Sequence, residues 1–202
     1  MAFPVNKFLR EFQQFCVVNE AFTQEEVDKI LDLEDLNRFQ KGAVGSADGK
    51  SKRGEVVIST RDSEVMWIHP DQNSDWLFRK FSQLCSFVNY DHFMYDISHF
   101  DAFQYTVYNS NTQQHYDWHL DVGGVYENYE RKLSVSICLS DPNEYEGGDF
   151  VCILNGKVDQ PYVARPPRGD AIFFPSWVPH KVTPVTAGVR KSLVCWVQGP
   201  KK

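Results

Sequence analysis

The chain contains no Cys-x-x-Cys pair, no long apolar run and no stretch dominated by lysine and arginine. Its five cysteines, Cys16, Cys85, Cys138, Cys152 and Cys195, are odd in number, widely spaced and set among apolar neighbours. That pattern excludes a disulfide framework and reads as buried, reduced thiols. Without about 20 consecutive apolar residues, no helix spans a bilayer. A formal charge of -6 with no basic stripe counts against nucleic acid or an anionic membrane as partner, since both reward clustered positive charge. The first eleven residues carry Lys7, Arg10 and Glu11 and no apolar core. They do not read as a secretory signal, and a cytoplasmic location is expected.

At 202 residues and 42% apolar content, the chain has material for one domain with a proper core. The expected division is support from residues 1–100 and a β core over 101–202. Phe15–Val18 is a short apolar run, and Thr23 precedes Glu26 by three residues, a capping-box spacing that starts a helix through about Leu33. Lys41 to Arg53 has no apolar period and reads as a long loop, mobile or functional. A strand is expected at Glu55–Thr60. Trp76, Leu77, Phe81, Leu84, Cys85 and Val88 recur at helical spacing.

From about residue 100 the pattern is β. Phe103–Tyr108, Leu133–Leu139, Phe150–Leu154, Ala171–Phe174 and Leu193–Val197 are strand-like, separated by turn clusters such as Asp141-Pro142-Asn143 and Gly147-Gly148. The fold class expected is mainly β with N-terminal helices, a sandwich or jelly roll.

The chemistry concentrates in His115-Tyr116-Asp117-Trp118-His119-Leu120-Asp121. Residues two apart on a strand face one side, so His-x-Asp presents an imidazole and a carboxylate to one point. His180, the only histidine after 119, would complete a two-histidine, one-carboxylate set, an arrangement that suits iron(II) and leaves positions open. Ten residues later Arg190 offers a planar fork for a carboxylate, and Ser192 a nearby hydroxyl.

At these residues the sequence resembles the prolyl 4-hydroxylase-like (PKHD-type) branch of the iron(II)/2-oxoglutarate oxygenases. The resemblance runs from about Phe15 to Gln198. It rests on Gln104-x-x-x-Tyr108, Tyr116-x-x-His119-x-Asp121, Arg131 to Ser134, Leu139 through the Gly147-Gly148 turn to Phe150, and His180 to Val185 with Gly188, Arg190 and Trp196. It implies a double-stranded β-helix in which His119, Asp121 and His180 hold iron and are the catalytic centre. Arg190 would bind the distal carboxylate of 2-oxoglutarate, with Tyr108 on the co-substrate wall. Arg131 and Trp196 match positions near the substrate mouth, and the loop ending at Arg53 resembles a finger that closes over peptides. The implied cofactors are iron(II), 2-oxoglutarate and dioxygen, with ascorbate as a candidate auxiliary. The implied substrate is a prolyl residue in a peptide or protein. A free amino acid or other small molecule is the first alternative, and a non-catalytic metal-binding jelly roll the second. Cys138 stands where some relatives carry a co-substrate tyrosine.

His115/Asp117 is a second His-x-Asp pair, and alternation puts 115, 117, 119 and 121 on one face. Tyr116, three before His119, favours the second pair, as does the abutting Gly123-Gly124. Trp118 is expected on the opposite side, packed in the core.

Overall fold

The computed structural model describes residues 13–44, 56–123 and 127–201. Strands appear in chain order as β1 (Cys16–Val18), β2 (Gln40–Lys41), β3 (Arg61–Asp62), β4 (Glu64–Ile68), β5 (Phe103–Asn109), β6 (His115–His119) and β7 (Tyr129–Cys138). They continue as β8 (Tyr145–Gly147), β9 (Phe150–Cys152), β10 (Tyr162–Ala164), β11 (Ala171–Pro175), β12 (His180–Val182) and β13 (Val185–Pro200). Helices α1 (Gln24–Leu31) and α2 (Asp75–Val88) precede the β-rich half.

The first helix follows local rules. The Thr23 hydroxyl accepts from Glu26 N while the Glu26 carboxylate accepts from Thr23 N, closing the capping box. On α2, Leu77, Phe81, Cys85 and Val88 form a buried stripe with the expected helical period. Phe81 meets Phe103 edge-on at 5.0 Å, which docks the helix on the sheet.

Among the described residues the strands form two antiparallel sheets. The larger runs β1-β11-β7-β13-β5-β4-β2 with β8 also on β13, and the smaller runs β10-β9-β12-β6-β3. Alternation divides the larger sheet cleanly. Phe103, Tyr105, Leu133, Val135, Ile137, Phe173, Leu193 and Cys195 turn outward and join α1 and α2 in the main core. Their neighbours turn inward toward the smaller sheet, and many of these are polar: Gln104, Thr106, Ser136, Arg190 and Ser192. A sheet that keeps buried polar groups on one face needs something to satisfy them.

All five cysteines are buried and unpaired, as expected. Other expectations need correction. Residues 56–60 form no strand. Val57 O accepts from Thr60 N and Arg61 N in a turn, and strands begin only at Arg61 and Glu64. Residues 45–55 lie outside the described residues, and with them Arg53 and the finger-like part of the loop. β13 runs for 16 residues rather than five, because successive segments pair with β8, β5 and β7. No described helix is long and apolar enough to cross a membrane.

Candidate metal and co-substrate site

The inward faces of the two sheets enclose a cleft of about 460 Å³, counting its open mouth. His119 ends β6, His180 begins β12, and the two residues are paired across the strands. Asp121 lies just beyond β6, where its N–H donates to Ser176 O at 2.9 Å. Donor atoms of His119, Asp121 and His180 all lie within 4.8 Å of one another. His180 Nε2 stands 3.3 Å from one Asp121 oxygen and His119 Nε2 3.8 Å from the other.

Backbone carbonyls fix both imidazoles. His119 Nδ1 lies 2.7 Å from Asp117 O, and His180 Nδ1 2.9 Å from Val178 O. A carbonyl can only accept, so each Nδ1 carries a proton, and Nε2 is the ring nitrogen turned toward the common centre. Phe150 and Phe174 pack on the His180 ring at 5.5 and 4.6 Å. Burial, then the neighbouring His180, pulls the His119 imidazole down to about 3, which keeps it neutral. Burial opposes charge on Asp121, but His180, His119 and Arg131 override it and hold the carboxyl below the usual carboxylate range. Two neutral imidazoles and one carboxylate are the donors a divalent transition metal takes.

A bulge decides between the two nested His-x-Asp pairs. Val182 pairs with Tyr116 and His180 with His119, so β6 spends three steps where β12 spends two. Alternation therefore breaks, and residues 115, 117, 119 and 121 do not share a face. Tyr116 and His119 both line the cleft, with rings stacked at 3.4 Å and 11°. His115 turns away to the carbonyls of Gln113 and Ser59, and Asp117 is exposed. Trp118 faces away as expected but does not enter the core. It is 39% exposed, with Lys181 Nζ 4.8 Å above its ring.

Arg190, which also lines the cleft, is buried and donates to Ser192 Oγ at 3.2 Å. Its guanidinium lies 5.6 Å from the Tyr108 ring centre and forms no ion pair among the described residues. A buried cation facing a cavity without a counter-charge fits a ligand carboxylate. Tyr108, Arg190, Ser192 and Trp196 all line the cleft. The Arg131 guanidinium lies 4.1 Å over the Trp196 ring. Cys138 pairs with Ser192 across the strands, and its thiol is engaged by Ser140 O and the Tyr145 side chain.

Sequence reasoning missed Arg61. It is buried in the cleft wall, its Nη2 donates to Gln104 Oε1 at 2.7 Å, and its guanidinium covers the Tyr116 ring at 4.6 Å. A single arginine after a turn carries no local signal, because every partner that matters is distant in sequence. Gln104 was read only as part of a strand motif.

A jelly roll with two histidines and a carboxylate converging from the smaller sheet defines a class of metal-binding fold. Residues 103–198 match the profile of the 2OG-Fe(II) oxygenase superfamily. A PKHD-type hydroxylase of Janthinobacterium sp. (strain Marseille) is 37% identical over 90 residues, covering 42% of this chain and 38% of that protein. PKHD-type hydroxylase YbiX of Escherichia coli O1:K1 / APEC is 44% identical over 66 residues, covering 33% and 28%. The chain thus spans about two fifths or less of the length of these curated relatives. Among solved structures, a Pseudomonas putida prolyl-4-hydroxylase aligns with TM-score 0.67 at 21% identity, covering 91% of both chains. A prolyl hydroxylase of Trichoplax adhaerens, solved with a peptide fragment of a hypoxia-inducible-factor oxygen degradation domain, gives 0.72 at 20%, covering 91% and 83%. These two likenesses establish the fold. Residues 103–198, just under half of the chain, thus match the 2OG-Fe(II) oxygenase superfamily, and the curated relatives similar over part of the chain are PKHD-type hydroxylases.

Proposed function

We propose that the chain is an iron(II)- and 2-oxoglutarate-dependent hydroxylase whose prime substrate is a prolyl residue in a peptide or protein. The observation that carries this reading is a single cleft lined by His119, Asp121 and His180 and by Arg190, which has no carboxylate partner among the described residues. Iron bound there, with 2-oxoglutarate and dioxygen, supplies oxidative decarboxylation of the keto acid coupled to C–H hydroxylation.

The chain's own residues divide the remaining work. His119 and His180 present lone pairs whose direction is set by the carbonyls of Asp117 and Val178. Asp121 supplies the single anionic donor, so the site keeps charge to be balanced by a co-substrate. Arg190, with Ser192 and Tyr108 beside it, grips the distal carboxylate and sets the reach of the keto-acid end. Phe150, Phe174 and Val182 line the cleft near the metal station and keep bulk water from it. Trp196 and Arg131 stand where a substrate chain would enter.

The peptide reading draws on the branch and on the relative solved with a peptide. Succinate release from 2-oxoglutarate, measured with proline-rich peptides, with free proline and with neither, tests it. Stimulation by peptide is the expected outcome. Stimulation by free proline alone moves the substrate to a small molecule, and no turnover under any condition leaves a metal-binding jelly roll without catalysis.

A further inference from the structure

The cleft holds two buried guanidinium groups, and the co-substrate needs only one. Arg190 is accounted for by a distal carboxylate. Arg61, 6% exposed on the wall beside Tyr116, is not. Its Nε donates to Ser63 Oγ at 2.9 Å, Nη1 to Ala43 O at 2.9 Å and Nη2 to Gln104 Oε1 at 2.7 Å. An arginine has five N–H donors, so two are left over, and among the described residues no carboxylate pairs with it.

Gln104 sharpens the chemistry. Arg61 can only donate, so the oxygen of the Gln104 amide must face it, and that oxygen also lies within 3.3 Å of the Thr106 hydroxyl. The amide nitrogen is then left as a donor, with no partner among the described residues. This stretch of wall therefore offers N–H groups and few acceptors. Charge counting agrees. A ferrous ion and a 2-oxoglutarate dianion cancel, and among the described residues lining the cleft the single carboxylate, Asp121, cannot offset both Arg190 and Arg61.

We infer that the prime substrate carries a carboxylate, which Arg61 receives with Gln104 holding the guanidinium in place; this rests on the hydroxylase reading above. The carboxylate can be the C-terminal or α-carboxylate of the substrate or the side chain of an acidic neighbour. All present the same acceptor-only, singly charged group.

The test uses the full chain loaded with Mn(II), which is silent in oxidation, and 2-oxoglutarate. Paramagnetic broadening of ligand NMR signals reports binding near the metal. Acid and neutral partners are compared: N-acetylproline against its amide, a peptide ending in proline against its amidated form, and an amidated Pro-Asp peptide against Pro-Asn. The first two pairs probe a terminal carboxylate and the third a side chain. In at least one pair the acid is expected to bind tenfold or more tighter. Arg61→Gln is expected to bring that pair within threefold. So is Gln104→Glu, which keeps size and shape while giving Arg61 an internal partner.

A wild-type protein that takes Mn(II) and 2-oxoglutarate but prefers no acid overturns this inference alone. So does a preference that survives both variants, or loss of 2-oxoglutarate binding in Arg61→Gln, which would make Arg61 the cofactor anchor. A wild-type protein that takes neither Mn(II) nor 2-oxoglutarate overturns the hydroxylase reading, and this inference with it.

Discussion

A methyl group on Gly148 would lie 2.9 Å from Arg190 Cδ, so the absence of a side chain at 148 is what admits the Arg190 side chain to the cleft lining. Gly148 also has φ +63, a left-handed conformation that costs other residues roughly 1–2 kcal/mol. Gly148→Ala is therefore expected to lower stability by at least that amount and to displace Arg190. Thermal unfolding checks the first effect, and calorimetric titration of 2-oxoglutarate into the metal-loaded protein checks the second. A variant that loses stability but keeps full 2-oxoglutarate affinity would separate the turn from the anchor.

Arg190→Ala strands a carboxylate in a buried site, and losses of about 2–5 kcal/mol are typical of such truncations. The expected outcome is weakened 2-oxoglutarate binding with metal affinity little changed, read by calorimetry with Mn(II) in place of iron. Arg190→Lys keeps the charge but not the fork, and should recover only part of the loss.

Acid should destabilise the metal-free protein. His119 goes from an ordinary value of 6.5 in the unfolded chain to about 3 in the fold. Between those values the unfolded chain binds a proton that the native state refuses, so stability falls as pH drops through the window. Asp121, lowered from 3.8, acts in the same direction at still lower pH, because its folded form also resists protonation. Melting temperature followed from pH 7 to 4 should fall, with a shallower decline in His119→Gln. A flat profile would mean that His119 titrates normally in the fold.

How much of this was legible depended on whether the signal was local. The capping box at Thr23 and Glu26 involves residues three apart, and the α2 stripe repeats within one helix, so both could be read directly. The His-x-Asp pair, the distant His180, and Arg190 with the hydroxyl of Ser192 two residues on were legible as residue types. The bulge in β6 was not legible. It exists only relative to β12, where His180 and Val182 face His119 and Tyr116, and no pattern within residues 115–121 reveals the extra step. The facing of Trp118 was legible but its burial was not: hydrophobicity suggested the core, although the outer face of the smaller sheet meets solvent there. β13 was underestimated because Thr186, Gly188 and Lys191 interrupt its apolar run, while its length comes from three different pairing partners.

The central claim is that His119, Asp121 and His180 form one metal site and His115 does not belong to it. Anaerobic equilibrium dialysis with iron(II) tests this on the wild-type chain and on His115→Ala, His119→Ala, Asp121→Ala and His180→Ala. The account predicts that the wild type and His115→Ala retain iron while the other three lose affinity by on the order of 100-fold or more, since each leaves only two donors. Iron retained by His180→Ala, or lost by His115→Ala and kept by His119→Ala, would contradict it.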